Sequence, residues 1–281
     1  MTEPEKTLLF VYGTLCRGLS RNDALARSKY LGPALTQGVL TDLGQYPALV
    51  PGEGSVLGEV YEIAAEDILA SLDKIEGYKE DIINESLYRR EKQAVRLFAT
   101  GESVDAYVYI YNQSISQMMP IPGGDYRRYI LDRHGDVIYY LAFGSNLDTA
   151  RLEDRIGTWK DTIPGRLPGF RLQYNKRPVE DDGNAFANAV VGGEGKDMPC
   201  VAYHVERFSL MKLDSHENVP ESYIRTVLPM VTKQGSTLLG YIYLANPDMI
   251  VNDRGPSDQY REYLAKGYRI HGLGDLADFE S

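Results

Sequence analysis

Short apolar runs separated by turn residues recur along the whole sequence. Runs of this kind are typical of buried strands when Gly, Pro, Asn or Asp residues bound them. In the first half the pattern predicts strands at residues 8–12, 38–40, 55–63, 95–98 and 105–111. Gly and Pro disfavour a continuous strand. We therefore expect interruptions between the second and third strands at five positions: Gly44, Pro47, Pro51, Gly52 and Gly54.

A helical pattern follows the third strand. Acidic residues at 66 and 67 suit the first turn of a helix, and the next apolar residues fall on one helical face: Ile68, Leu69, Leu72 and Ile75. The second half has a similar segment, with Phe208, Leu210, Met211 and Leu213, and residues 260–266 predict a further helix. Strands and helices do not alternate regularly, which argues against a doubly wound parallel sheet. The predicted fold class is α+β, a small curved or closed mixed sheet with flanking helices.

Four blocks of the first half return in the same order in the second half. The pairs are 8–15 with 139–147, 59–63 with 201–205, 72–76 with 213–217, and 106–110 with 240–244. One such match could arise by chance, whereas four matches in the same order are hard to produce without duplication. We predict two homologous domains, 1–134 and 135–281, joined in the charged stretch 132–136.

Charge and cysteine content exclude several classes of function. The 281 residues include 30 Lys and Arg against 40 Asp and Glu, a net charge of −10, so we expect no binding to nucleic acid or to anionic membranes. Two cysteines and four histidines without a ligand-like spacing argue against a metal site. The sequence has neither a signal peptide nor a membrane-spanning run, so we expect a cytoplasmic protein.

The first repeated block places a glycine and a small hydroxyl residue directly after a buried strand, at Gly13–Thr14 and again at Gly144–Ser145. Consecutive N–H groups in such a turn can form a site for an anion. The alternative is an ordinary strand end, in which the glycine only permits the bend. Neither GxGxxG nor GxxxxGK[ST] occurs, so a nucleotide pyrophosphate is not the indicated anion.

The third repeated block places a glutamate at the end of each predicted helix, Glu76 and Glu217. A glycine or an asparagine follows, and both residue types favour the left-handed conformation that ends a helix. The helix dipole and the aspartates three residues earlier, Asp73 and Asp214, together with any burial, would raise the pKa of these glutamates and suit them to proton transfer. The alternative is a solvated acidic helix end.

With these motifs the sequence resembles the γ-glutamylcyclotransferase-like superfamily. The first half is similar to the γ-glutamylamine cyclotransferase branch through VYGTL at 11–15, LDKIE at 72–76, YR at 88–89 and PGGDY at 122–126. The second half is similar to the γ-glutamylcyclotransferase branch through YLAFGSN at 140–146, GRLPGF at 165–170, LDSHE at 213–217, YIR at 223–225, and the segment from PS at 256–257 to GL at 272–273. The resemblance covers nearly the whole chain.

The resemblance implies a small mixed β-barrel with flanking helices in each half. It also implies conversion of a γ-glutamyl amide or γ-glutamylamine into 5-oxoproline and a free amine, without a metal or organic cofactor. Glu76 and Glu217 would be the acid/base residues. The substrate would be held, mainly through backbone N–H groups, by Tyr12, Gly13, Thr14 and Leu15 in the first half and by Tyr140, Leu141, Ala142, Phe143, Gly144, Ser145 and Asn146 in the second half.

Several points stay open at this level. Phe143 stands where the family usually has tyrosine, which removes one phenolic hydrogen bond from the second site. The loop after the glutamate is longer in the first half, while the second half inserts residues around 175–198, so we expect the two sites to differ in their leaving amines. One site could instead be a relic. The other class of function is a non-catalytic protein that binds γ-glutamyl compounds or serves as a scaffold. Neither the leaving amine nor the oligomeric state follows from the sequence.

Overall fold

A computed structural model describes residues 6–114, 119–135, 137–193 and 195–280 of the chain. The chain divides into two compact units. One unit comprises the chain up to Leu97 together with Glu102–Ile130, and the other comprises Phe98–Gly101 and the chain from Leu131 onward. The division falls close to the predicted joint, inside a helix that begins at Tyr126. The domain limits 1–134 and 135–281 stay a prediction.

The first unit is built on a closed five-stranded barrel. Its strands are β1 (Leu8–Val11), β2 (Lys29–Asp42), β3 (Pro47–Glu62), β4 (Tyr88–Leu97) and β5 (Ser103–Tyr111). Their order around the barrel is β1-β3-β2-β4-β5, and a parallel pairing of β1 with β5 closes it. The other pairings are antiparallel.

The first strand is apolar throughout because both of its faces are buried. Phe10 belongs to one core cluster with Val60 and Val108, the residues beside it on the neighbouring strands. Leu9 belongs to a second cluster, which includes Leu72 of the adjacent helix. A strand covered on both sides reads as a continuous apolar run. This explains why the strand could be located from the sequence.

The predicted interruptions occur at two places in the hairpin of β2 and β3, the turn around Gly44 and residues 51–54, whereas Pro47 begins a strand. Gly44 lies in the turn, with a positive φ of 90°. Beyond the turn, β3 extends from Pro47 to Glu62, but its pairing with β2 passes from Val50–Val39 to Ser55–Gln37. Residues 51–54, which include Pro51, Gly52 and Gly54, therefore oppose Gly38 alone, and the predicted interruption is present there. A Cβ at Gly52 would lie 2.5 Å from a methyl group of Val39 on β2. The missing side chain therefore allows the strands to approach, and glycine here serves strand packing.

The second unit repeats this architecture. Its strands are β6 (Ile138–Ala142), β7 (Thr162–Pro168), β8 (Phe170–Lys176), β9 (Phe186–Val191), β10 (Asp197–Val205), β11 (Tyr223–Thr232) and β12 (Thr237–Ala245). Five of them close a barrel in the order β10-β6-β12-β11-β7, while β8 and β9 form a separate two-stranded sheet. β6, β10, β7, β11 and β12 occupy the positions of β1, β3, β2, β4 and β5. The predicted α+β class, with two small mixed barrels, is confirmed.

Five α-helices accompany the barrels within the described residues. They are α1 (Glu66–Glu76), α2 (Tyr126–His134), α3 (Thr149–Ile156), α4 (Arg207–His216) and α5 (Asp258–His271). The three predicted helices correspond to α1, α4 and α5. In α4, Leu210 and Leu213 are buried, whereas Phe208 and Met211 are exposed. None of the helices described is both long and apolar enough to cross a bilayer.

Candidate active site

The first unit contains a cavity of about 170 Å³ at the end of β1. Its lining consists of the strand end, the loop after it, the end of α1 and several aromatic side chains. The lining residues are Phe10, Val11, Tyr12, Gly13, Thr14, Leu15, Arg21, Tyr46, Pro47, Ile75, Glu76, Leu87, Tyr88 and Tyr109. The structure thus brings the predicted loop residues and Glu76 to one cavity.

The loop that follows β1 offers consecutive hydrogen-bond donors. The N–H groups of Gly13, Thr14 and Leu15 have no acceptor within the described part of the chain, while the carbonyls of Gly13 and Thr14 accept bonds from Cys16 and Arg21. Unpaired backbone N–H groups in a partly buried loop are uncommon. Because all three residues line the cavity, these donors are available to an anionic or carbonyl oxygen of a ligand.

Glu76 is the last residue of α1, and Gly77 ends the helix in the left-handed conformation with a φ of 64°. No described residue donates a hydrogen bond to its carboxylate. Burial raises the pKa of Glu76 from its usual 4.5 to about 7, and the positive charge of Arg21 opposes part of this rise. A carboxylate whose pKa lies near neutrality can both accept and return a proton at physiological pH.

Burial, one of the three causes expected from the sequence, accounts for the raised pKa of Glu76, whereas repulsion by Asp73 does not contribute. The Asp73 carboxylate is paired with Arg90, whose Nη1 donates to both of its oxygens at 2.9 and 2.7 Å, and it also accepts a bond from the Tyr109 hydroxyl at 2.8 Å. An aspartate compensated in this way contributes little repulsion. The second unit repeats the arrangement, with Asp214 bound by Arg225 and by the Tyr243 hydroxyl. These aspartates fix the helix to the barrel.

Tyr12 lines the cavity, and its hydroxyl forms hydrogen bonds within the barrel. Its hydroxyl donates to the carbonyl of Tyr109 at 2.6 Å and accepts from the Leu49 N–H at 3.4 Å. Burial raises the pKa of the Tyr12 hydroxyl well above its usual value. The phenol therefore has a structural role. Phe143 at the matching position of the second unit lacks this link between strands.

The second unit has a cavity of only about 30 Å³ at the corresponding place. Its lining residues are Tyr140, Phe143, Gly144, Ser145, Asn146, Ala187, Glu217, Tyr223, Tyr243 and Tyr260. Two predicted substrate-binding residues, Leu141 and Ala142, do not line it. Both are fully buried in β6, where they pair with Ala202 and Val201 of β10. We therefore remove Leu141 and Ala142 from the site, because both lie inside a paired strand and neither lines the cavity.

Glu217 follows the end of α4, and Asn218 has the expected positive φ of 49°. Unlike Glu76, its carboxylate is already engaged. Oε1 of Glu217 accepts a bond from Arg155 Nη1 at 2.8 Å and another from Asn146 Nδ2 at 3.0 Å. Arg155 Nη1 also donates to Oδ1 of Asn146 at 2.8 Å. One of the two oxygens of the predicted acid/base carboxylate in the second unit is therefore engaged by protein donors.

The inserted segment of the second half covers this smaller cavity. Ala187, on the inserted strand β9, accepts a hydrogen bond from the Tyr223 hydroxyl at 3.0 Å and donates its N–H to the Tyr260 hydroxyl at 3.2 Å. Both tyrosines also line the cavity. The inserted segment around residues 175–198 thus makes the cavity of the second unit smaller.

Sequence reasoning missed three side chains that shape the sites: Arg21, Arg155 and Tyr260. Arg21 is the single cation among the described residues that line the first cavity, and its guanidinium makes no ion pair or hydrogen bond with a described residue. No motif marked these positions, because none belongs to a repeated block centred on the glycine or the glutamate. Within the ranges described, no three His, Cys, Asp or Glu side chains come close enough to hold a metal ion.

Two barrels of the same strand order, each with a glycine turn facing a helix-end glutamate, are what the γ-glutamylcyclotransferase resemblance implied. The sequence profile described as "Gamma-glutamyl cyclotransferase, AIG2-like" matches residues 9–128 and again residues 140–265. The chain belongs to this family, in a tandem arrangement.

Individual relatives agree with this assignment. A Vibrio cholerae protein named "Putative gamma-glutamylcyclotransferase" is 40% identical over 121 residues, which are 42% of this chain and 94% of that protein. The Escherichia coli "Gamma-glutamylcyclotransferase family protein YtfP" is 29% identical over 119 residues, again 42% of this chain and 94% of the relative. The crystal structure of YkqA from Bacillus subtilis superposes with a TM-score of 0.70 at 23% identity, and the match covers 95% of this chain and 93% of YkqA. The last likeness concerns the fold.

Proposed function

We propose that this protein is a γ-glutamyl cyclotransferase that releases 5-oxoproline and an amine, and that turnover takes place in the first unit. One observation carries the proposal. Glu76, with a pKa raised to about 7 and without a protein hydrogen-bond donor, lines the same cavity as the unpaired N–H groups of Gly13, Thr14 and Leu15. An acid/base group and a set of oxyanion donors are the two components that this reaction requires of a protein.

The reaction begins with the substrate folded back on itself. The Glu76 carboxylate accepts a proton from the α-ammonium group, and the resulting amine attacks the γ-carbonyl carbon, forming the new C–N bond. The γ-oxygen becomes an oxyanion, which the N–H groups of the loop stabilise. Protonated Glu76 then donates its proton to the leaving nitrogen as the original amide bond breaks. The ring nitrogen loses its second proton to the departing amine, which leaves as an ammonium ion. The products are 5-oxoproline and a free amine, and Glu76 returns to its starting state.

This chemistry makes modest demands on the protein because the nucleophile and electrophile belong to one molecule. A well-oriented intramolecular attack gains most of its advantage from proximity. The aromatic walls of the cavity, among them Tyr46, Tyr88 and Tyr109, would favour the compact substrate conformation over an extended, hydrated one. No nucleophilic side chain is needed. Cys16, the nearest thiol in the sequence, is buried, and burial raises the pKa of its thiol well above the usual value.

The direct test is 5-oxoproline release from a panel of γ-glutamyl amino acids and γ-glutamylamines. The proposed function requires release from at least one of them. Binding of these compounds without release would instead indicate the non-catalytic alternative, a module that binds γ-glutamyl compounds. The same panel identifies the preferred leaving amine.

The pH dependence follows from the pKa of Glu76. The carboxylate must be ionised in the free enzyme to accept the proton, so kcat/KM is expected to rise about tenfold per pH unit below pH 7 and to level off above it. The position of this rise, measured between pH 5.5 and 8.5, checks the assignment. A profile that is flat across pH 7 would show that another group accepts the proton.

Arg21 is expected to select the leaving amine. The glutamyl part must lie against Glu76 and the loop, so the leaving amine extends toward the exposed part of the cavity, where Arg21 lies. An Arg21→Met variant should therefore lose about tenfold in kcat/KM for γ-glutamyl amino acids, whose leaving group carries a carboxylate. The amides of the same amino acids, which lack that charge, should lose less than about threefold.

The matched amides decide between two roles of Arg21. Equal losses for acid and amide substrates would mean that Arg21 binds the α-carboxylate of the glutamyl part, and selection of the leaving amine would have to be assigned elsewhere. The pH profile of the same variant gives an independent reading. Because Arg21 lowers the pKa of Glu76, its removal should move the rise in kcat/KM to higher pH.

A further inference from the structure

A buried ion pair lies next to the substrate loop of the first unit and takes no part in the chemistry above. Glu59 on β3 is 0% exposed and Arg127 in the first turn of α2 is 4% exposed. Arg127 Nη1 donates to Oε1 of Glu59 at 2.5 Å. Charges are costly to bury, and a buried pair often contributes less to stability than well-packed apolar residues of the same size. The presence of this pair therefore calls for a reason other than stability.

The other oxygen of Glu59 is directed to the loop. Oε2 of Glu59 accepts the backbone N–H of Arg17 at 2.8 Å and the hydroxyl of Tyr61 at 3.1 Å. The partner cation reaches the same residue, because Arg127 Nη1 also donates to the carbonyl of Arg17 at 3.4 Å. Both backbone groups of Arg17 are thus fixed by the buried pair.

A second set of hydrogen bonds holds the loop at Leu15, which itself lines the cavity. The side-chain Nδ2 of Asn22 donates to the carbonyl of Leu15 at 2.8 Å and to the Tyr61 hydroxyl at 3.0 Å. Through Tyr61, the Leu15 carbonyl is therefore coupled to Glu59. Leu15 carries the last of the three unpaired N–H groups and Arg17 lies two residues after it, so these hydrogen bonds hold the end of the loop that presents the donors.

The second unit lacks this network at the equivalent positions. Glu59 pairs with Val11 on β1, and Val201 pairs with Ala142 in the same register on β6, so an apolar residue replaces the glutamate. Arg261 lies 134 residues after Arg127, the same offset that relates 106–110 to 240–244, and it is exposed and pairs with Glu280. The unit without the buried pair is also the unit whose cavity is only about 30 Å³.

We propose that Glu59, fixed by Arg127 and linked to Tyr61 and Asn22, is a positioning residue that keeps the N–H donors of the Gly13–Leu15 loop in place for the reacting carbonyl. This inference rests on the proposed function and adds to it a set of residues that do not touch the substrate. Misplacing catalytic donors by about 1 Å can reduce rates on the order of 10²-fold.

The test removes the network without leaving a buried charge unpaired. In the double variant Glu59→Val/Arg127→Met both charges are absent, and valine copies the residue of the second unit. We expect a folded protein whose kcat falls on the order of 10²-fold, with a smaller change in KM and with the rise in kcat/KM still near pH 7. A folded double variant with kcat within threefold of the parent protein would overturn the proposal.

A milder pair of variants covers the case in which the double variant does not fold. Tyr61→Phe removes one hydroxyl from the network and should lower kcat about tenfold. The matched control is Tyr203→Phe, because Tyr203 has the same register on β10, while its hydroxyl bonds to His271 Nε2 at 2.7 Å. The control should stay within twofold of the parent. Equal activities of the two phenylalanine variants would contradict the proposal.

Hydrogen exchange separates this inference from the proposed function. The amides of Cys16 and Arg17, which donate to the Gly13 carbonyl and to Glu59, should exchange at least about tenfold faster in Tyr61→Phe than in the parent protein. The amides of 144–148 should not change in Tyr61→Phe. This measurement needs no substrate. If the parent protein releases no 5-oxoproline from any substrate, the proposed function fails and exchange still decides whether the network positions the loop. Unchanged exchange at Cys16 and Arg17 would overturn the positioning role.

Discussion

Replacing Glu76 with glutamine is expected to lower kcat/KM for 5-oxoproline release by 10²–10⁴-fold, the range typical for the loss of an acid/base group. The amide has nearly the same shape as the carboxylate but cannot accept a proton from the α-ammonium group. The variant should still bind substrate, because the loop donors of Gly13, Thr14 and Leu15 are untouched. Steady-state kinetics and a binding measurement on the same preparation check both statements.

The stability of the Glu76→Gln variant provides the control for folding. Burial raises the pKa of Glu76 to about 7 in the folded protein, above its usual value of 4.5, so ionisation of this group opposes folding as the pH rises between these values. The glutamine variant avoids this cost. Its free energy of unfolding should exceed that of the parent by on the order of 2 kcal/mol at pH 8 and should equal it near pH 4. Full activity in a stably folded variant would remove Glu76 from the mechanism.

Replacing Glu217 with glutamine is expected to have the opposite pattern, lower stability with little change in turnover. Oε1 of Glu217 already accepts bonds from Arg155 and Asn146, and the cavity beside it is about 30 Å³. That volume is close to the space of one water molecule. Glutamine leaves the Arg155 guanidinium, only 16% exposed, without its counter-charge. The free energy of unfolding should fall by about 1–2 kcal/mol, while 5-oxoproline release stays within about twofold of the parent.

The two glutamine variants together decide how activity is divided between the units. Thermal or denaturant unfolding measures the stability change, and the substrate panel measures turnover for each leaving amine. If Glu217→Gln removed activity toward some amines and Glu76→Gln removed activity toward the others, the two units would have divided specificity, as the loop lengths in the sequence suggested. Loss of all activity in Glu217→Gln alone would place turnover in the second unit.

The sequence was sufficient for the architecture and for the principal chemical groups. Strands buried on both faces, such as β1, could be recognised because apolar cores cover both faces and every residue of the strand is therefore apolar. The repeat predicted two homologous domains, the family resemblance implied a small barrel in each, and helix ends marked by Gly77 and Asn218 located both glutamates. These features depend on residues close together in the chain, where local rules of backbone conformation and side-chain periodicity apply.

Only the tertiary structure distinguished the two sites. Glu76 and Glu217 occur in nearly the same local sequence, yet Arg155 and Asn146 occupy one of them, and only the other has a cavity large enough for a ligand. Asp73 looked like a repelling charge until its pairing with Arg90 was known. The pKa of a carboxylate and the volume of the cavity beside it depend on residues that are far away in the sequence, and no local pattern specifies those residues. The sequence by itself indicated candidate residues for the chemistry. The packing of distant residues decided that the Glu76 carboxylate has no donor among the described residues, while Oε1 of Glu217 accepts two hydrogen bonds.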